Sequence, residues 1–240
     1  MDLPSASTNK TRDWLAVLFA LVLPSLVTLA YFVWAQGSEA GVQQAVYSVA
    51  KIVQFAFPVF WVAWIQRRRP RFDLTSSRGV VLGGAFGVVI FVASLAVYHY
   101  WLKSADFFLA SQQPIQEKIA GLGLDHAWKS IALAVFYSLF HSLLEEYYWR
   151  WFVFRQLKSL TSFGPAVMIS SLGFMAHHVI VIGHYFGYFT LVTWLFSLAV
   201  AIGGAVWAWL YHRSGSLLGP WLSHLCVDVA IFTIGYEMMM

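Results

Sequence analysis

The residues of this sequence that could do chemistry are ionisable side chains set within long apolar stretches. They are Glu145, Glu146, Arg150, His178, His224 and Asp228. A charge near the centre of a bilayer costs about 2.5–3.5 kcal/mol on insertion scales, so ionisable residues in such stretches are candidates for function. Carboxylates and imidazoles together can transfer protons, which makes general acid–base catalysis the first chemistry to consider.

One apolar run, 128–154, contains both candidate glutamates and the arginine. If this run is a helix, residues four apart lie on nearly the same face, so Arg150 should pair with Glu146. Glu145 is rotated away from the arginine and stays available as a general base, with His141 one turn before it. The alternative is an interhelical salt bridge that only fixes the packing.

Histidines on two later apolar runs could meet these carboxylates. Phe174 and His178 are four residues apart on one run, and His224 and Asp228 are four apart on the other. The spacing places the members of each pair on one helix face. For each of these two histidines, the alternative is a hydrogen-bonded core residue without a catalytic role. We interpret the remaining candidates as interfacial or loop residues: His177, His184, His99 and His126.

The composition requires lipid as the solvent of the chain. Of the 240 residues, 60% are hydrophobic and only 11% are charged, which is too apolar for an ordinary soluble domain. Seven apolar runs come near to or exceed the roughly 20 residues that a membrane helix requires. They are 14–34, 42–65, 79–102, 128–154, 164–182, 187–211 and 217–235. We therefore predict an all-α fold, a polytopic membrane helical bundle of about seven transmembrane helices in a single integral membrane domain, 1–240.

Basic residues fall mainly in alternate connections between these runs. The net charge is +4, but the arginines of 67–78 cluster between two apolar runs, which is typical of a cytoplasmic loop rather than of nucleic-acid binding. Lys10 and Arg12 precede the first run, and Arg155 and Lys158 follow the fourth. We predict a cytoplasmic N-terminus, an outside C-terminus and no nucleic-acid partner.

Three further features concern packing and connections. The connection 103–127 is expected to be a short surface helix or an ordered loop. The small residues of 83–87 and 203–205 are interpreted as packing seams, because such residues let helices approach closely. Cys226 is the single cysteine, which excludes an intramolecular disulfide, and we interpret it as a packing residue.

The ionisable residues also form a series of motifs. Glu-Glu-x-x-x-Arg comprises Glu145, Glu146 and Arg150; Phe-x-x-x-His comprises Phe174 and His178; His-x-x-x-Asn/Asp comprises His224 and Asp228. This series resembles the CPBP family, which includes the CAAX prenyl proteases and the bacteriocin-processing enzymes also called Abi proteins. The resemblance covers about 128–235, which would be the catalytic core.

The resemblance implies a glutamic-type intramembrane endopeptidase that needs no metal or other cofactor and hydrolyses a peptide or protein substrate at the lipid bilayer. Glu145 and His178 would activate a water, His224 with residue 228 would stabilise the oxyanion, and Glu146 and Arg150 would hold the site together. An ionised Asp228 cannot donate a hydrogen bond to an oxyanion, so we expect it to orient His224 instead. The compact layout favours a bacterial inner membrane.

Other classes of function remain open from the sequence. A zinc-dependent membrane metalloprotease would use the same glutamates and histidines as ligands. However, the sequence contains no His-Glu-x-x-His motif, and Arg150 would place a cation among the metal ligands. Buried carboxylates and histidines also serve proton-coupled transporters, and a non-enzymatic scaffold or immunity protein could contain them. The sequence shows no evident inverted repeat of the kind found in many transporters.

Overall fold

A computed structural model describes residues 9–35, 37–121 and 126–238, which form eight helices and no strand. Helix α1 is Lys10–Leu29 with the π-helical stretch Ala30–Trp34, α2 is Ala40–Phe60 with the π-helical stretch Trp61–Ile65, and α3 is Val80–Tyr100. Helix α4 is Asp106–Gly121, α5 is the helical run 127–160, α6 is Phe163–Phe186, α7 is Leu191–Ser214 and α8 is Leu218–Glu237.

Six helical segments are long and apolar enough to cross a membrane. They are Lys10–Trp34, Gly41–Ile65, Val80–Ser104, Phe163–Phe186, Leu191–Ser214 and Leu218–Glu237. Large apolar side chains such as Ile52, Val81, Val89 and Ile202 are exposed on these segments, as expected for surfaces that contact lipid. The predicted all-α polytopic membrane helical bundle is confirmed. The fourth of the seven predicted runs, 128–154, lies within α5, which is not among the six segments.

Helix α5 is divided into α- and π-helical stretches without a non-helical residue between them. They are the α-helix Ala127–Phe136, the π-helix Tyr137–His141, the α-helix Ser142–Glu146, the π-helix Tyr147–Phe154 and the α-helix Arg155–Leu160. π-Helical turns are rare and frequently occur at functional sites. Here two of them flank the short α-helix that carries both predicted glutamates, and the side chains of 148–154 form the centre of the core.

Small residues join α3 to α8. A Cβ added at Gly83 would collide with the backbone of Gly219, and one added at Gly87 would come within 2.9 Å of the Cα of Ser223. The same added atom would lie 3.0 Å from the Cβ of Cys226. The packing interpretation is therefore confirmed for the 83–87 seam and for Cys226, because backbone contact this close excludes larger side chains.

The loop 66–79 is hydrogen-bonded to α5 and to the connection that precedes α8. The carbonyl oxygen of Asp73 accepts hydrogen bonds from Leu217 N at 2.9 Å and from Ser216 Oγ at 3.1 Å. Its carboxylate accepts hydrogen bonds from Thr75 and Ser76, which lower the pKa of Asp73. On the other side, Trp151 Nε1 of α5 donates to Arg71 O at 2.6 Å.

The connection 103–127 contains α4, which is mostly exposed over its described side chains and packs through Phe108 and Ser111. The Ser111 hydroxyl donates to Tyr185 O of α6 at 3.2 Å. The predicted surface helix is thus confirmed, and it lies outside the contacts of the six candidate residues.

Candidate active site

Glu146 contacts a guanidinium and an imidazole from different helices. Its Oε2 atom lies 3.1 Å from Nε of Arg150, the pair predicted from the four-residue spacing. Its Oε1 atom lies 2.8 Å from Nδ1 of His224 on α8. The carboxylate is fully buried, so both contacts are charge-assisted interactions shielded from water. Glu146 therefore connects α5 to α8 as well as holding its own arginine.

Arg150 is enclosed by aromatic rings and a glycine. Its guanidinium carbon lies 4.7 Å from the ring centre of Phe174 on α6 and 4.9 Å from that of Trp207 on α7. Nη2 donates to Gly204 O at 3.3 Å, and a Cβ at position 204 would come 3.4 Å from that nitrogen. The second predicted seam, 203–205, thus provides space for the guanidinium rather than for a second backbone.

Glu145 faces imidazoles instead of the guanidinium, as its predicted rotation requires. Its Oε1 atom is 3.5 Å from Nε2 of His177, and its Oε2 atom is 3.7 Å from Nε2 of His224. The residue is 4% exposed. A buried carboxylate with two imidazole nitrogens at these distances can exchange protons through a small molecule placed among them.

His177 lies within this cluster, so its interpretation as an interfacial or loop residue is wrong. It is buried, and its ring stacks on Trp149 with the centroids 5.7 Å apart and the planes 3° from parallel. The signal in the sequence was the adjacent pair His177-His178, since neighbours on a helix can flank one group from two directions. His99, by contrast, lies near the end of α3, 3.5 Å from Glu237.

His178 is placed beside the cluster by a hydrogen bond to its own helix. Its Nδ1 atom lies 2.9 Å from Phe174 O, a contact in which Nδ1 must be the donor. In the neutral ring Nε2 is then the free acceptor. One ligand atom each of His178, His177 and Glu145 lie within 4.8 Å of one another. These three residues are also the group in the described chain that could hold a metal ion, and their N and O atoms are of the type that zinc accepts.

Asp228 approaches the same histidine as Glu146, but less closely. Its Oδ1 atom is 3.7 Å from Nε2 of His224, against 2.8 Å for the contact of Nδ1 with Glu146. The i, i+4 spacing thus brings the two residues together, as predicted. Because Glu146 makes the shorter contact, it is the main group that orients the imidazole.

Lys51 of α2 belongs to the surroundings of the site and was missed from the sequence. Its ammonium nitrogen lies 5.4 Å from the ring centre of Phe55 and 5.5 Å from that of Tyr47, and it interacts electrostatically with Glu145. Phe55 in turn contacts the ring of His141, which also lies beside Glu145 as expected. The signal was a lysine in the middle of an apolar run, which is rare without a function.

Comparison with known proteins finds a match in the part of the chain that contains the candidate residues. Residues 127–230 match the family model described as type II CAAX prenyl endopeptidase Rce1-like. No curated protein and no solved structure matches the chain. The matched residues begin with α5 and include each of the six candidate residues. Residues 127–230 are therefore similar to the type II CAAX prenyl endopeptidases, in agreement with the resemblance that the sequence motifs carry.

Proposed function

We propose that this protein is an intramembrane endopeptidase in which Glu145 activates the water that hydrolyses a peptide bond. The observation that carries the proposal is the buried Glu145 carboxylate, which has Nε2 of His177 at 3.5 Å and Nε2 of His224 at 3.7 Å. A carboxylate in this position can take a proton from water, and the imidazoles can bind the charges that develop during attack.

The reaction assigns a separate task to each residue. Glu145 and His178 hold the water, and Glu145 takes its proton as the oxygen attacks the scissile carbonyl carbon. The carbonyl oxygen becomes an oxyanion, which accepts a hydrogen bond from Nε2–H of His224 while Nδ1–H of that ring donates to Glu146. The C–N bond then breaks, and the leaving amine receives the proton from Glu145. His177 orients the Glu145 carboxylate during both transfers.

Glu145→Gln tests the proposal, because the amide keeps the size of the side chain and cannot accept the proton. We expect proteolysis to fall by about a thousandfold, with thermal stability near wild type, since a general acid–base group contributes about 10²–10⁴ in rate. The measurement is cleavage of membrane-anchored peptides by reconstituted protein, with prenylated and leader-type sequences in one panel. Glu39→Gln, at the exposed start of α2, is the matched control. Undiminished cleavage by Glu145→Gln would refute the assigned role.

A zinc-dependent hydrolase is a second candidate because Glu145, His177 and His178 approach one another within 4.8 Å. Zinc–ligand distances are about 2.0–2.2 Å, so the three ligand atoms could converge on one ion after small rotations. In that case the metal would bind the attacking water, and His177→Ala would abolish binding. Metal analysis of purified protein and activity after chelation separate the two candidates. Full activity in metal-free protein supports the glutamate mechanism, and restoration by zinc alone supports the metalloprotease.

We further propose that the N-terminus lies in the cytoplasm of a bacterial cell and the protein in its inner membrane, since the arginines of 67–78 would then be inside. Ser77 is exposed in that loop. Ser77→Cys in a Cys226→Ala background should resist an impermeant thiol reagent in intact cells and react after lysis. Labelling from outside would show that the orientation is the opposite of the one proposed.

A further inference from the structure

Trp207 of α7 contacts both side chains that Glu146 binds, although its helix supplies none of the six candidate residues. Its ring centroid lies 4.2 Å from that of His224 with the planes 16° from parallel, and the guanidinium carbon of Arg150 lies 4.9 Å away. The indole is 3% exposed, so these contacts are made without water. An aromatic face attracts a cation most strongly under such conditions.

The indole is itself held in a fixed orientation. Its Nε1–H donates to the Ser223 hydroxyl at 2.9 Å, and Ser223 is fully buried. The backbone of Ser223 lies in the α3–α8 seam, where it faces Gly87. The close-packed seam therefore positions the serine, the serine positions the indole, and the indole lies against the adjacent His224.

A single hydrogen bond does not fix an imidazole. The Nδ1 contact with Glu146 anchors one atom of His224, but the ring could still tilt about that contact. A parallel indole at stacking distance removes this freedom. It leaves Nε2 directed toward Glu145 and Asp228, whose oxygens are both 3.7 Å away.

We propose that Trp207 is a positioning residue for the proteolytic site: it fixes the ring plane of His224, and with it the direction of the Nε2 donor, by stacking. The inference rests on the proposed function, in which that donor meets the oxyanion. A tilted donor would leave substrate binding unchanged and weaken an interaction made in the transition state. The loss would then appear in kcat rather than in KM.

The kinetic test uses variants that separate stacking from volume. Trp207→Leu removes the aromatic face, Trp207→Phe keeps a face without the N–H, and Ser223→Ala removes the acceptor. We expect Trp207→Leu to lower kcat about tenfold or more with KM within about twofold, and each of the other two to lose less than about threefold. Trp209→Leu is the control, because Trp209 lies on the same helix, is 40% exposed and has Arg213 as its cationic neighbour.

A second measurement needs no substrate, so it tests the position of the His224 ring even if the proposed function is wrong. The ¹⁵N shifts of the His224 ring, assigned by difference from His224→Gln, report the hydrogen bond at Nδ1 in detergent-solubilised protein. Trp207→Leu should move these shifts, whereas Trp207→Phe and Trp209→Leu should leave them near wild type. Unchanged shifts in folded Trp207→Leu, or a kcat at the wild-type level, would overturn the inference. Absence of peptidase activity in the wild type would refute the proposed function alone.

Discussion

Helix α8 is held on two sides by contacts of opposite kinds. On one side its backbone meets the glycines of α3, with Gly83 against Gly219 and Gly87 against Ser223. On the other side His224 bonds the buried Glu146 carboxylate of α5 at 2.8 Å. Lipid provides no hydrophobic force between helices, so association depends on close packing and on polar contacts. The seam should be sensitive to added volume, and the site to removed charge.

The largest expected effect on stability comes from removing the cation of the site. Arg150→Ala leaves Glu146 buried without its closest guanidinium partner, and breaking a buried pair costs about 3–5 kcal/mol. We expect a low folded yield and early thermal unfolding in detergent. Arg155→Ala, which removes an exposed arginine one turn beyond, should have little effect. Equal stability of the two variants would show that the ion pair does not stabilise the fold.

A smaller loss is expected when volume is added to the seam. Gly83→Ala places a methyl group against the Gly219 backbone, which cannot move as a side chain can. Overpacking of this kind costs about 1–3 kcal/mol. Gly84→Ala is the matched control because nothing lies within 4 Å of its added Cβ. Thermal unfolding of the two proteins measures the difference, and a Gly83→Ala protein as stable as Gly84→Ala would contradict close packing at this point.

The smallest effect is expected at Asp228, whose carboxylate lies farther from the His224 ring than that of Glu146. Asp228→Asn can still orient the imidazole, so we expect a loss of activity below about tenfold, whereas Asp228→Leu should lose more, chiefly in kcat. Glu146→Gln should lose more activity than either Asp228 variant, since the contact of Glu146 with the His224 ring is shorter. The double variant of Asp228→Leu with His224→Ala should be little worse than His224→Ala. Additive losses in this cycle would show that the residues act independently.

The sequence by itself determined the features that depend on neighbours along one helix. Apolar runs of membrane length, the Glu146–Arg150 pair and the His224–Asp228 approach all follow from composition or from four-residue spacing. The glycines of α3 were recognisable for the same reason, because small residues four apart form a strip on one face. These are local properties, and the helix geometry that governs them is the same in every protein.

Only the tertiary structure decided which helices meet and at what rotation. The bond of Glu146 to His224, the place of His177 and the stacking of Trp207 join residues from different helices. Each helix can rotate about its axis without breaking its own hydrogen bonds, so its sequence does not select the partner. In α5 the π-helical stretches also change which side chains share a face, which no α-helical spacing anticipates. The site is therefore fixed by packing between helices, although its charged residues could be identified from the sequence of each helix separately.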